Sequence, residues 1–190
     1  MRACKNHNIR FSKYMLLMHL NLKDIDYDIL FHLMKNSRIS DRQLAKILGV
    51  SQPTITRRRA RLEKKGVVNF TGIPNFAKMD LRIMAFNFVS WNAEGERLSN
   101  ARSPDFMEKV TSFLNDYPNV VFASTGQGLG MGRMSISFHK SYADYTEFIR
   151  QLERDWGEYL KKRDTFIVSL ESDNIVRPFS FATLVKYLTP

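Results

Sequence analysis

Gln52, Thr54, Thr56 and Arg57 fall within about a turn and a half of one helical segment, and Arg58, Arg61, Lys64 and Lys65 continue it. Amide and hydroxyl groups suit hydrogen bonding to base edges, and the cations beyond them suit bases and phosphates. Such a set works only if a helix presents it along one side. Ile55 and Leu62, seven residues apart, mark an inward stripe, so Pro53, Thr54, Thr56, Arg57, Ala60, Arg61 and Lys64 point away from it. Charge alone does not decide the matter, because an ordinary solvated basic helix would share it.

The neighbouring residues decide it. Ser40 and Gln43 have the spacing of a capping box. Leu44, Ala45, Ile47 and Leu48 then supply an apolar face at helical spacing, and Gly49 suits the left-handed position that ends a helix. Ser51 is placed to cap a second helix with Pro53 in its first turn, and that helix runs to Lys65 and stops at Gly66. The pattern predicts a helix-turn-helix that reads DNA through Ser51, Gln52, Thr54, Thr56, Arg57, Arg58, Arg61, Lys64 and Lys65. Arg58 is the least outward of these.

A preceding helix is expected over residues 23–36, with Ile25, Ile29, Leu30, Leu33 and Met34 buried and Asp24, Asp26 and Asp28 near its positive end. Residues 67–73 read as a short hairpin, the wing, with Asn69 and Thr71 available to the DNA backbone. Residues 74–80 form a joint.

Beyond the joint, strand-like runs at 81–91, 120–125, 133–139 and 165–170 alternate with helices opened by Ser103 and Ser141. The order β-α-β-β-α-β predicts a four-stranded antiparallel sheet with both helices on one side, a ferredoxin-like unit. Met84, Phe86, Phe88, Met134, Ile136, Phe138, Phe166, Val168 and Leu170 are expected under the helices. The other face would carry Ala85, Asn87, Val89, Trp91, Ser135, Ser137, His139, Ile167 and Ser169, and would pair two subunits into a homodimer.

The chain has 190 residues and a net charge of +10. Residues 1–78 hold 16 basic and 5 acidic side chains, +11, whereas residues 79–190 are close to neutral at −1. A basic half joined to a neutral half fits a nucleic-acid module attached to a domain with another task. The single Cys4 excludes an internal disulfide framework and suits the cytoplasm. His7, His19, His32 and His139 lack metal-ligand spacing, and no triad or carboxylate pair is evident, so no enzyme activity, cofactor or metal is expected. Residues 1–21 read as a flexible basic arm, or as residues upstream of a true start at Met15 or Met18. The glycines from Gly126 to Gly132 precede a strand rather than a helix, which argues against a dinucleotide loop and for a flexible hairpin tip.

Leu22-Lys23-Asp24-Ile25-Asp26, Arg38-Ile39-Ser40, Leu44-Ala45, Gly49-Val50-Ser51, Thr54, Arg57-Arg58, Arg61-Leu62-Glu63 and Gly66-Val67 resemble the leucine-responsive/AsnC (feast/famine) family of prokaryotic transcriptional regulators. The likeness spans residues 22–171. It implies an α+β chain with a winged helix-turn-helix domain at 22–74 and a ferredoxin-like dimerisation and effector (RAM-type) domain at 75–173. It also implies double-stranded DNA with a palindromic operator as partner, a dimer, tetramer or octamer, and a small effector at Thr125, Gly126, Gln127 and Gly128.

Three departures stand out, the first a C-terminal extension at 174–190 beyond the family core. Arg59 replaces an inward aliphatic residue, and the turn at 125–132 lacks the family's Gly-x-Tyr-Asp pattern with its effector-contacting carboxylate. The sirohaem decarboxylases resemble the same family in fold and form the alternative, an enzyme, although their His/Arg/Tyr-rich stretch is not found in this chain.

Overall fold

The structure is a computed structural model that describes residues 22–171, 173 and 175–188. The arm at 1–21, with Cys4, His7, His19 and the alternative starts, lies outside the described residues. The described chain forms two compact units, one of residues 22–72 with 179–188, the other of residues 73–178. No described helix is long and apolar enough to cross a membrane.

In the first unit, α1 (Asp24–Lys35), α2 (Asp41–Leu48) and α3 (Gln52–Lys64) pack around Leu22, Ile29, Leu33, Leu44, Ala45, Ile55 and Leu62. Each helix boundary has a local cause. The Ser40 Oγ accepts the Gln43 N–H at 3.2 Å, and the Gln43 side chain accepts the Ser40 N–H at 3.1 Å. Gly49, at φ +67°, closes α2 in the left-handed region. Ser51 occupies the N-cap of α3 without accepting a backbone N–H; its hydroxyl lies 2.9 Å from that of Thr54 instead.

The expected wing hairpin does not form. Residues 67–75 belong to no helix or strand, and Val67 and Val68 pack on the helical core. Seven residues between Gly66 and Pro74 leave too little chain for two paired strands and a turn. Ile47 also departs from expectation, since it is exposed rather than part of the apolar face of α2.

The second unit is a four-stranded antiparallel sheet in the order β2-β3-β1-β4. Its strands are β1 (Ile83–Trp91), β2 (Val120–Gly128), β3 (Met131–His139) and β4 (Leu160–Ser169). A short helix, α4 (Ala93–Asn100), was not evident from periodicity; it is capped by the Asn92 side chain accepting the Gly95 N–H at 3.0 Å. Then follow α5 (Pro104–Asp116) and, after β3, α6 (Tyr142–Trp156). The glycine-rich segment is mostly strand rather than flexible tip. Only Leu129 and Gly130, both at positive φ, separate β2 from β3.

The two faces of the sheet are the reverse of the expectation. Ala85 and Trp91 pack with Phe106, Tyr145, Phe148, Ile149, Leu152 and Trp156 beneath the helices. The polar residues of that face are satisfied locally: Asn87 Nδ2 donates to Ser137 Oγ at 3.0 Å, and Ser137 Oγ lies 2.8 Å from His139 Nε2. His139 is buried, and burial pushes its pKa below the ordinary 6.5 against a weaker opposing pull from Asp144.

On the opposite face Phe86 pairs with Ile136 and Phe166, Phe88 with Met134, and Phe122 with Ile136. One end is covered by Phe76 and Leu81 over Met84, Phe138 and Leu170, with Phe76 stacked on Phe138 at 4.5 Å. Phe122 and Phe166 stay exposed. The C-terminal segment at 184–188 (Leu184–Leu188, α7) belongs to the first unit, lies against α1 and buries Val185.

Candidate nucleic-acid interface

The outward side of α3 carries Gln52, Pro53, Thr56, Arg57, Ala60, Arg61 and Lys64, all exposed, while Ile55 and Leu62 are fully buried on the other side. Helical geometry places positions 53, 57, 60, 61 and 64 within one narrow stripe. Arg57 and Lys64 make no ion pair among the described residues. Lys65 caps the helix and is also exposed.

Two of the three consecutive arginines do other work. Arg58 Nη1 donates to Asp26 Oδ1 at 2.8 Å, and the Asp26 side chain is only 1% exposed. The other Asp26 oxygen accepts the Lys23 N–H at 2.9 Å, so the carboxylate ties the start of α1 to α3. Arg58, with 22% of its side chain exposed, is therefore tied to a buried carboxylate, unlike the outward Arg57 among the expected DNA contacts. Phosphate contact would leave Asp26 as an uncompensated buried charge.

Arg59 anchors the other flank. Its guanidinium donates to the Ile39 carbonyl at 3.2 Å, the Asp41 carboxylate at 3.2 Å and the Ser37 carbonyl at 3.3 Å. It also lies 4.8 Å from the centroid of Phe70, in the irregular segment after α3. An inward aliphatic residue is thus replaced by a cation that joins α3 to the α1–α2 turn and to the chain leaving the domain.

Thr56 is exposed, but its hydroxyl already donates to Asp41 Oδ2 at 2.7 Å and lies 3.1 Å from the Gln52 carbonyl. Thr54 is half-buried against Ser51. Both can still accept a hydrogen bond from DNA, but each holds a fixed rotamer. Asp26 and Asp41 are the residues that sequence reasoning missed. The signal for Asp26 was present: it lies three residues before Ile29 and seven before Leu33, on the buried stripe of α1.

Thr125, Gly126, Gln127 and Gly128 lie together at the exposed end of β2. They form part of a strand edge. Thr125 pairs with Arg133 across the hairpin.

Residues 22–69 match the winged helix-turn-helix DNA-binding family model. The HTH-type transcriptional regulator FL11 of Pyrococcus furiosus is 32% identical over 108 residues, covering 55% of this chain and 64% of that protein. The uncharacterized HTH-type transcriptional regulator YezC of Bacillus subtilis is 33% identical over 66 residues, covering 34% of this chain and 48% of that protein. The chain thus spans less than two thirds of the length of either relative.

Among solved structures, a Neisseria meningitidis transcriptional regulator in complex with L-Met superposes with a TM-score of 0.68 at 18% identity, covering 88% of this chain and 99% of that one. AsnC of E. coli gives 0.62 at 19% identity, with 83% and 97% covered. LrpC of B. subtilis gives 0.60 at 24% identity, with 77% and 94% covered. Residues 22–69 are therefore a winged helix-turn-helix DNA-binding domain, and the described chain carries the two-domain α+β fold of the leucine-responsive/AsnC regulators.

Proposed function

We propose that the protein is a sequence-specific DNA-binding transcriptional regulator of the cytoplasm, acting as a homodimer or a higher assembly of dimers. In this reading the domain at 22–74 reads DNA and that at 75–173 joins the subunits. The observation that carries it is the exposed stripe of α3, with Gln52, Arg57, Arg61 and Lys64 on a helix pinned from behind by Arg58 and Arg59. A cationic helix held rigidly and turned outward fits a major groove. Arg57 with Gln52 and Thr56 reads base edges, and Arg61, Lys64 and Lys65 hold phosphates.

Support for the dimer comes from the open sheet face. Phe86, Phe88, Phe122, Met134, Ile136 and Phe166 make a patch too apolar to remain in water, and a second copy offers the same patch about a two-fold axis. Two-fold symmetry then calls for a palindrome whose half-sites are spaced by one helical turn, about 10 bp, or a multiple of it. Selection of bound duplexes from a random library tests the reading. Recovery of such a palindrome is expected, and a bound pool with no shared sequence opposes it.

An effector near Thr125, Gly126, Gln127 and Gly128 rests on the family resemblance and on the L-Met held by the Neisseria protein. Calorimetric titration with the twenty amino acids tests it, and the absence of heat removes it.

A further inference from the structure

Between α5, α6 and the sheet of the second unit lies a cavity of about 300 Å³. Five aromatic side chains line it: Trp91, Phe106, Phe113, Phe148 and Trp156. Several polar side chains reach it: those of Asn87, Ser99, Ser124 and Arg133 are hydrogen-bonded, and the Thr125 and Ser135 hydroxyls, each able to donate or accept, also line it. Arg133 makes two hydrogen bonds to the Glu96 carboxylate, at 2.8 and 3.2 Å, and a third to Ser99 at 3.1 Å. Asn87 donates to Ser137 and accepts from Thr165. Among the lining side-chain atoms buried from solvent, the Trp91 indole N–H alone has no acceptor among the described residues.

A buried donor left without an acceptor is costly, and a cavity wall is where a ligand can supply one. Among the described residues Arg133 is the only charged one lining the cavity, and Glu96 already neutralises it. A charged ligand would therefore enter without a counter-charge. We infer that this cavity binds a small, uncharged, largely apolar molecule, aromatic or branched, that carries one hydrogen-bond acceptor for Trp91 Nε1. The site lies wholly inside the second unit, shares only Thr125 with the strand end at 125–128, and does not depend on the DNA-reading role.

The two tryptophans of the chain both line the cavity, so they report on it directly. The test follows the two indole N–H signals by nitrogen–proton NMR in the intact protein, assigned with Trp91→Phe. The probes are acetophenone, its acceptor-free analogue ethylbenzene, and the zwitterions L-methionine and L-phenylalanine. Acetophenone should move the Trp91 indole proton downfield saturably, and ethylbenzene should bind about tenfold more weakly. Val110→Phe, which fills the cavity from α5, should weaken acetophenone about tenfold or abolish binding. Leu114→Phe, at a partly exposed lining position, should do the same without threatening the fold.

Absence of a saturable shift overturns the site. Unchanged binding in a folded variant does so too. Equal affinity for ethylbenzene overturns the role of Trp91, and preferential binding of the zwitterions overturns the ligand class.

Discussion

The two units manage their polar groups in opposite ways. In the helix-turn-helix unit, charged residues at the edge of the core fix geometry: Arg58 pairs with buried Asp26, and Arg59 with Asp41, on the two flanks of the Ile55–Leu62 stripe. In the sheet unit, neutral groups are hidden under the helices in the chain Asn87–Ser137–His139, and the strongly apolar face is left open. The contrast teaches that apolarity identifies surfaces to be covered without saying what covers them. In the first unit the cover is the same domain. In the second, on the proposed function, it is another copy.

The comparison can be broken first at the open face. The double substitution Ile136→Glu with Phe166→Glu should raise the dimer dissociation constant about a hundredfold or more, as sedimentation would show. Replacing Asn87 or Ser137, on the covered face, should leave assembly unchanged.

Next come the arginines. Arg58→Ala strands the Asp26 carboxylate and should cost about 2–4 kcal/mol in denaturant unfolding of the first unit. Arg57→Ala, one residue away but exposed, should leave stability unchanged. It should instead lose about 1–3 kcal/mol of DNA binding and relax sequence choice at one position. Lys64→Ala should weaken all duplexes alike and reduce the salt slope by about one.

The smallest effect is a pH dependence. The folded-state pKa of His139 lies below its ordinary 6.5, so the unfolded chain takes up the proton first as pH falls. Stability of the sheet unit is present above about pH 6.5 and declines as pH drops below it toward the lower folded value. His139→Gln should flatten that slope in unfolding curves recorded from pH 7 to pH 5.

What was legible in the sequence divides along the same line. Helix caps and the glycine stop are local, so Ser40, Gln43, Gly49 and Gly66 placed α2 and α3 to within a residue. Strand alternation was equally clear, yet its parity was not. Period two separates two faces but cannot say which one the helices choose when Ala85, Val89 and Trp91 compete with Phe86, Phe88 and Ile136.

The run Arg57-Arg58-Arg59 was legible as charge but not as three roles, because their partners Asp26, Ile39 and Asp41 lie 18 or more residues away. Helix α4 stayed hidden because its glycine and polar residues give no strong stripe. Gly95 is there for closeness: a Cβ would lie 3.0 Å from that of Trp91.

The most direct test of the central claim is equilibrium binding of the purified protein to a random-sequence duplex pool across a salt series. Affinity should fall log-linearly with salt, with a slope steeper than about −4 for a dimer holding several phosphates. Failure to bind any duplex, even in dilute buffer, would contradict the account.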